Sequence, residues 1–168
     1  MIRTLAAVLP LKQRTTAPGR QVILVDIENV VGGAVLTQDA AIWARRQIET
    51  VLEVRDDAHI VIGASHASWM NAALAWPTKR CLPKSGPDGA DLAILDEMES
   101  LLVHRYDEVI LVSGDGIFAD AVSVLSARGA QVTVVAHHGR CAARLRLAAH
   151  CTVYLQTEHN QGTIGGAA

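Results

Sequence analysis

Short apolar runs alternate with amphipathic stretches along most of the chain. Gln21-Val22-Ile23-Leu24-Val25-Asp26, His59-Ile60-Val61-Ile62-Gly63, Val109-Ile110-Leu111-Val112 and Gln131-Val132-Thr133-Val134-Val135 are β-branched and nearly continuous. Strands covered on both faces must read this way, because neither side of the sheet meets water. Between and after them, helical periodicity covers about 38–54, 67–75, 89–103, 116–128 and 140–148, with Thr37 placed to cap the first. A short strand is expected at Thr78 to Leu82, ahead of a Pro83-Lys84-Ser85-Gly86-Pro87 turn, and a last one at Thr152 to Leu155. Strand and helix in alternation imply an α/β fold: three layers, with a central, mostly parallel sheet of five or six strands and helices on both faces.

The flanks differ. Residues 1–20 carry a short apolar start that ends at Pro10 and is followed by Lys12 and Arg14, too short for a secretory signal. Residues 157–168 are Gly-rich and aperiodic. Both are expected to be mobile, around one domain spanning 21–156. No stretch reaches the roughly 18 to 20 apolar residues of a membrane span. The chain is therefore expected to be soluble and cytoplasmic, without a membrane partner.

Composition narrows the picture. The 168 residues are enough to bury a core without disulfides, and half are apolar, with few aromatics among them. The cysteines Cys81, Cys141 and Cys151 are odd in number and widely spaced, which suits free thiols and gives no zinc spacing. A net charge of −2 and a pI near 6.4 argue against a protein that coats nucleic acid through bulk charge. Any such contact must be local.

In an open parallel sheet, ligands bind beyond the carboxyl ends of the strands, where the strand order reverses. The first strand ends in Asp26-Ile27-Glu28-Asn29 and the fourth in Ser113-Gly114-Asp115-Gly116. A strand order of 3-2-1-4-5 makes these two strands neighbours and brings Asp26 and Asp115 to one crevice. Asp91, at the start of the 89–103 helix, faces the same rim. Carboxylates so close repel unless a cation lies between them, and hard oxygen ligands without His or Cys suit Mg²⁺ or Mn²⁺. Each acid also has a plainer role open to it: Asp88, Asp91 and Asp115 stand where helix caps stand, and Asn29 where a turn residue would. Asp26 is harder to explain that way, because an ionisable group ending a buried strand needs a partner.

The segments Val25-Asp26-Ile27-Glu28-Asn29, Asp88-Gly89-Ala90-Asp91-Leu92-Ala93 and Val112-Ser113-Gly114-Asp115-Gly116-Ile117-Phe118 resemble, in order and spacing, the three signatures of NYN domains, a branch of the PIN-like ribonucleases. The resemblance covers roughly residues 20 to 156. It implies a PIN-like fold and metal-dependent cleavage of RNA, with Asp26, Asn29, Asp91, Ser113 and Asp115 as the site and Asp26, Asp91 and Asp115 as the ligands of Mg²⁺ or Mn²⁺. Ile117 stands where the family usually carries a second Asp, so either fewer protein oxygens hold the metal or the domain is a silent RNA-binding or protein-interaction module. Glu28, Asp96, Glu97 and Asp120 are the acids that could compensate.

RNA, expected to be single-stranded, requires cations at the rim of an acidic pocket. Lys84, Arg140 and Arg144, with Arg146, are the candidates, set against the alternative of a solvated helix face. Trp43, Trp69 and Trp76 lie in helical patterns and are expected to fill the core or an interface, which leaves a homodimer open. His66 and His137-His138 lack a partner at ligand spacing, and a loop position is expected for the pair.

Overall fold

The computed structural model describes residues 19–101 and 106–156. The terminal segments expected to be mobile lie outside these residues except for Gly19 and Arg20, as does the end of the 89–103 helix. The strands are β1 (Gln21–Asp26), β2 (His59–Ser65), β3 (Arg80–Lys84), β4 (Glu108–Val112), β5 (Gln131–His137) and β6 (Cys151–Leu155). The helices are α1 (Ile27–Val31), α2 (Gln38–Val51), α3 (Trp69–Ala75), α4 (Gly89–Leu101), α5 (Ala119–Ala127) and α6 (Ala143–Ala148). All six strands pair in parallel in the order β3-β2-β1-β4-β5-β6, so the expected order holds and β6 adds to its end.

The pleat divides the apolar run of β1 between two cores, because successive side chains point to opposite faces. Ile23 and Val25 join Ala41, Ala44 and Ile48 of α2 and Ala72 and Ala75 of α3 on one face. Val22 and Leu24 join Ile94 and Met98 of α4, Val122 and Leu125 of α5 and Leu145 of α6 on the other. The two connections that carry the chain from β1 out to β3, through α1 to α3, thus cover one face, and the three that follow, through α4, α5 and α6, cover the second. The order reverses between β1 and β4, which opens the crevice at their carboxyl ends.

Several local expectations are corrected. α1 follows β1 with no loop between, and the apolar Ile27, Val30 and Val31 hid it as a continuation of the strand pattern. β3 begins later and runs through Pro83, which an edge strand tolerates because it needs no inward N–H at every residue. Lys84 is accordingly the last residue of that strand rather than part of a turn. The 116–128 helix opens with a 3₁₀ turn, Gly116–Phe118, before α5. His137 ends β5 instead of lying in a loop: its Nε2 meets the Val30 carbonyl at 2.7 Å and its ring stacks on Trp43, so it ties the sheet to α1 and α2.

Thr37 caps α2, its Oγ1 accepting from the Ala40 N–H at 3.2 Å. Thr37→Ala removes the acceptor from one orphan helix donor and should cost about 1 kcal/mol. A melting temperature lower by about 3 °C, read by circular dichroism, is the expected result for a chain of this size.

Candidate active site

Asp26 is the last residue of β1 and 98% of its surface is withdrawn from water, its relative exposure being 2%. Its Oδ1 accepts from the Asn29 N–H at 3.2 Å, so the same carboxylate that faces the crevice also caps α1. Its Oδ2 accepts from the Ser113 hydroxyl at 2.9 Å, and Ser113 Oγ in turn accepts from the Asp115 N–H at 3.2 Å. Asn29 Oδ1 accepts from the Gly114 N–H at 2.9 Å. Two side chains of the β1–α1 junction and one of the β4 end therefore bind the two central strands together at the rim. Asn29 is a helical residue with a bridging side chain, not a turn residue.

Two close backbone approaches position the rest. A Cβ on Gly63 of β2 would stand 2.6 Å from Ile94 Cγ1 and 2.7 Å from the Ala90 carbonyl oxygen, so only glycine lets α4 lie this near the sheet. That approach brings Asp91, in the first turn of α4, to Asp26. A Cβ on Gly114 would stand 2.1 Å from the Arg140 carbonyl oxygen. The Ala142 N–H donates to the Gly114 carbonyl at 2.9 Å, so the loops after β4 and β5 meet backbone to backbone and Arg140 is carried to the cleft.

The result is an open cleft of about 520 Å³ lined by Asp26, Glu28, Asn29, Asp91, Asp115 and Arg140, with Gly32, Gly33, Pro87 and Ala90 on its walls. The Asp26 and Asp91 carboxyls lie close enough to shift each other's ionisation. Burial first, then repulsion by Asp91 and the hydrogen bond to it, push the Asp26 carboxyl up to about 7, against the lowering effects of Ser113 and the Asn29 N–H. The Asp91 carboxyl is also raised, by burial first and then by Asp115, Asp88 and Glu28, while its hydrogen bond with Asp26 acts the other way. Burial and mutual repulsion therefore both act against the two carboxyls being ionised together.

Asp115 stands across the cleft and caps the 3₁₀ turn, its Oδ1 accepting from the Ile117 N–H at 2.9 Å. The capping role and the place at the cleft coexist. Among the described residues no group of three or more His, Cys, Asp or Glu side chains closes tightly enough to hold an ion unaided. The donor set fits a hard divalent cation in chemistry: the buried Asp26 and the half-buried Asp91 repel each other, and a cation would relieve both. A cation held by Asp26 and Asp91, with Asp115 reached through water, would keep several waters of its own, as Mg²⁺ commonly does.

The remaining candidates separate. Arg140 lines the cleft, whereas Lys84 pairs with Asp96 of α4. Arg144 of α6 lies against Gly116, its Nε 2.6 Å from where a Cβ would be, and Arg146 sits in the last turn of the same helix. Of the acids considered as substitutes at the Ile117 position, Asp96 is engaged by Lys84, and Glu97 by Arg80 at 2.8 Å. Glu28 alone of the four lines the cleft. Its Oε1 accepts from the Ser65 N–H at 3.3 Å and from the hydroxyls of Ser65 and Ser68. The two serines were missed as site neighbours, although Ser65 ends β2 at the same sheet edge and the strand-end rule that found Asp26 applies to it equally.

Against this geometry, the family model of the NYN domain matches residues 20–156, and the chain belongs to that family. It thereby belongs to a PIN-like, nuclease-type group of α/β domains. Over 56 residues it is 41% identical to the low amplitude and bright protein LabA of Synechococcus elongatus, a stretch that spans 33% of this chain and only 30% of that protein. A Vibrio parahaemolyticus protein of unknown function has a similar fold: TM-score 0.57 and 21% identity, over 84% of this chain and 96% of that one. No helix among the described residues is long and apolar enough to cross a membrane.

Proposed function

We propose that this domain is a metal-dependent ribonuclease that hydrolyses phosphodiester bonds of single-stranded RNA at the carboxyl edge of its sheet. The observation that carries the reading is Asp26, an almost fully buried carboxyl set against Asp91 in an open cleft. Its hydrogen-bond partners are an N–H and a hydroxyl, and neither neutralises its charge. Its charged neighbour is another acid, and Arg140 lines the same cleft.

A bound Mg²⁺ or Mn²⁺ supplies an activated water and counter-charge for the phosphoryl oxygens. Asp26 and Asp91 would hold it, with Asp115 contributing through water. Ser113 fixes Asp26 Oδ2, and Asn29 fixes the distance between the β1 and β4 loops through Gly114, so these residues orient the acids. Arg140 lines the cleft and would hold a phosphate of the RNA by charge. No side-chain nucleophile is needed.

A second reading, an RNA-binding module without cleavage, is favoured by Ile117, whose exposed side chain offers no ligand. Both readings are separated by one experiment. Labelled single-stranded RNA is incubated with the protein in Mg²⁺, Mn²⁺ or chelator, and with Asp91→Asn. Cleavage that requires the metal and falls at least about tenfold in the variant is expected. RNA binding that persists with no cleavage under any metal condition would replace the nuclease with the silent module.

A further inference from the structure

A second cavity, of about 220 Å³, lies on the other side of β1 from the acidic cleft. Its walls are Ile23 and Val25 of β1, Ile60 of β2, Ile48 of α2, and Val54 and Trp76 from the flanking turns. Ile23, Val25, Ile48 and Trp76 are each no more than 5% exposed and form an apolar floor, while Glu49, Pro77, Thr78 and Lys79 are exposed and open it to solvent. An unfilled apolar space of this size forfeits packing contacts and destabilises a core. Water at the floor gains little, because it needs two to four polar partners and the polar side chains of this pocket lie at its mouth.

The mouth has a different character. Arg45, Glu49, Thr78 and Lys79 surround it. The Arg45 guanidinium is held in place, Nε donating to Glu49 Oε1 at 2.7 Å and Nη1 to the Ala75 carbonyl at 3.0 Å. Lys79 is exposed and pairs with no carboxylate among the described residues. The turn that presents it includes Thr78 at φ 72°, a left-handed conformation that a β-branched residue adopts only under strain. Strain of this kind concentrates at ligand clamps.

We infer that this cavity is a binding site for a small monocarboxylate with a compact apolar body, the body filling the space beneath Trp76 and the carboxylate meeting Lys79 and Arg45 at the mouth. A cavity of roughly 150 Å³ takes up benzene, so a single ring fits this one. Two cations against the single acid Glu49 favour an anion over a neutral or cationic ligand. The inference is independent of the nuclease reading, because none of its residues lines the acidic cleft.

Benzoate and hexanoate are the probes, with benzyl alcohol as the neutral counterpart, titrated into the full chain and followed by amide chemical shifts of Val25, Ile48 and Lys79 and by calorimetry. Saturable binding of a carboxylate is expected, with benzyl alcohol weaker by about tenfold. Ile48→Phe, which fills the cavity, should abolish it. Lys79→Glu should erase the preference for the anion, and since Lys79 is exposed this variant keeps the core intact and the test readable even if Ile48→Phe does not fold. The inference is overturned by the lack of saturable shifts at roughly 10 mM probe, by shifts confined to the acidic cleft, or by binding that Lys79→Glu leaves unchanged.

Discussion

Asp26→Asn should reduce RNA cleavage by roughly two to three orders of magnitude while leaving the protein as stable as before or more stable. The substitution keeps the shape of the side chain and an oxygen to accept from the Asn29 N–H, so the cap of α1 survives. The new amide can donate to Asp91 and to Ser113 Oγ, the latter already an acceptor for the Asp115 N–H. What is lost is the negative charge that would attract the cation, and loss of several kcal/mol of transition-state stabilisation accounts for the fall at about 1.4 kcal/mol per decade. What is gained is relief from burying an ionisable group beside a second acid. Turnover of labelled RNA measured alongside thermal melting checks both halves. A variant that cleaves as fast as the natural chain would move the chemistry away from Asp26. A variant that loses activity and melts far earlier would make the loss a folding effect, and the nuclease reading would then rest on Asp91→Asn alone.

The parts of this site that were legible in the sequence are those governed by strand periodicity. Four β-branched runs fix β1, β2, β4 and β5, and a parallel order with its reversal between β1 and β4 makes Asp26 and Asp115 neighbours at one edge. The contact of Asp91 with Asp26 required more, because it depends on how near α4 lies to the sheet, and Gly63 sets that distance. The same helix supplies a partner for Lys84: placed at the end of an edge strand, it meets Asp96 nearly two turns into α4, a pairing invisible along the chain. Asn29 was found by resemblance, yet its bridge to Gly114 arises only because α1 starts without a loop, so that the third residue after Asp26 turns back toward β4. Glu28 illustrates the limit most clearly. Four acids were equivalent as compensation for Ile117 until their partners were known, and ion pairs with Lys84 and Arg80 remove two of them.

Stability without divalent metal should fall as the pH rises through the range from about 4 to about 7. The sign follows from linkage. In the unfolded chain Asp26 ionises near its ordinary value of 3.8, whereas in the folded protein burial and Asp91 hold its carboxyl protonated up to about 7. Between those values the folded state binds more protons than the unfolded state, so each increment of pH favours unfolding. The slope vanishes above the folded value, where both states are ionised, and the accumulated penalty is on the order of a few kcal/mol. Asp91, raised in the same direction, steepens the fall. Denaturant midpoints at pH 5 and pH 8 in chelator are the measurement, with the pH 8 midpoint expected to be lower. Asp26→Asn should flatten most of the difference, because the amide does not titrate. Millimolar Mn²⁺ should restore the pH 8 midpoint in the natural chain but not in the variant, since an ion that binds only the folded state stabilises it by mass action. A natural chain whose stability is the same at both values, or whose pH 8 midpoint ignores Mn²⁺, would mean that Asp26 and Asp91 do not meet as a strained, cation-seeking pair.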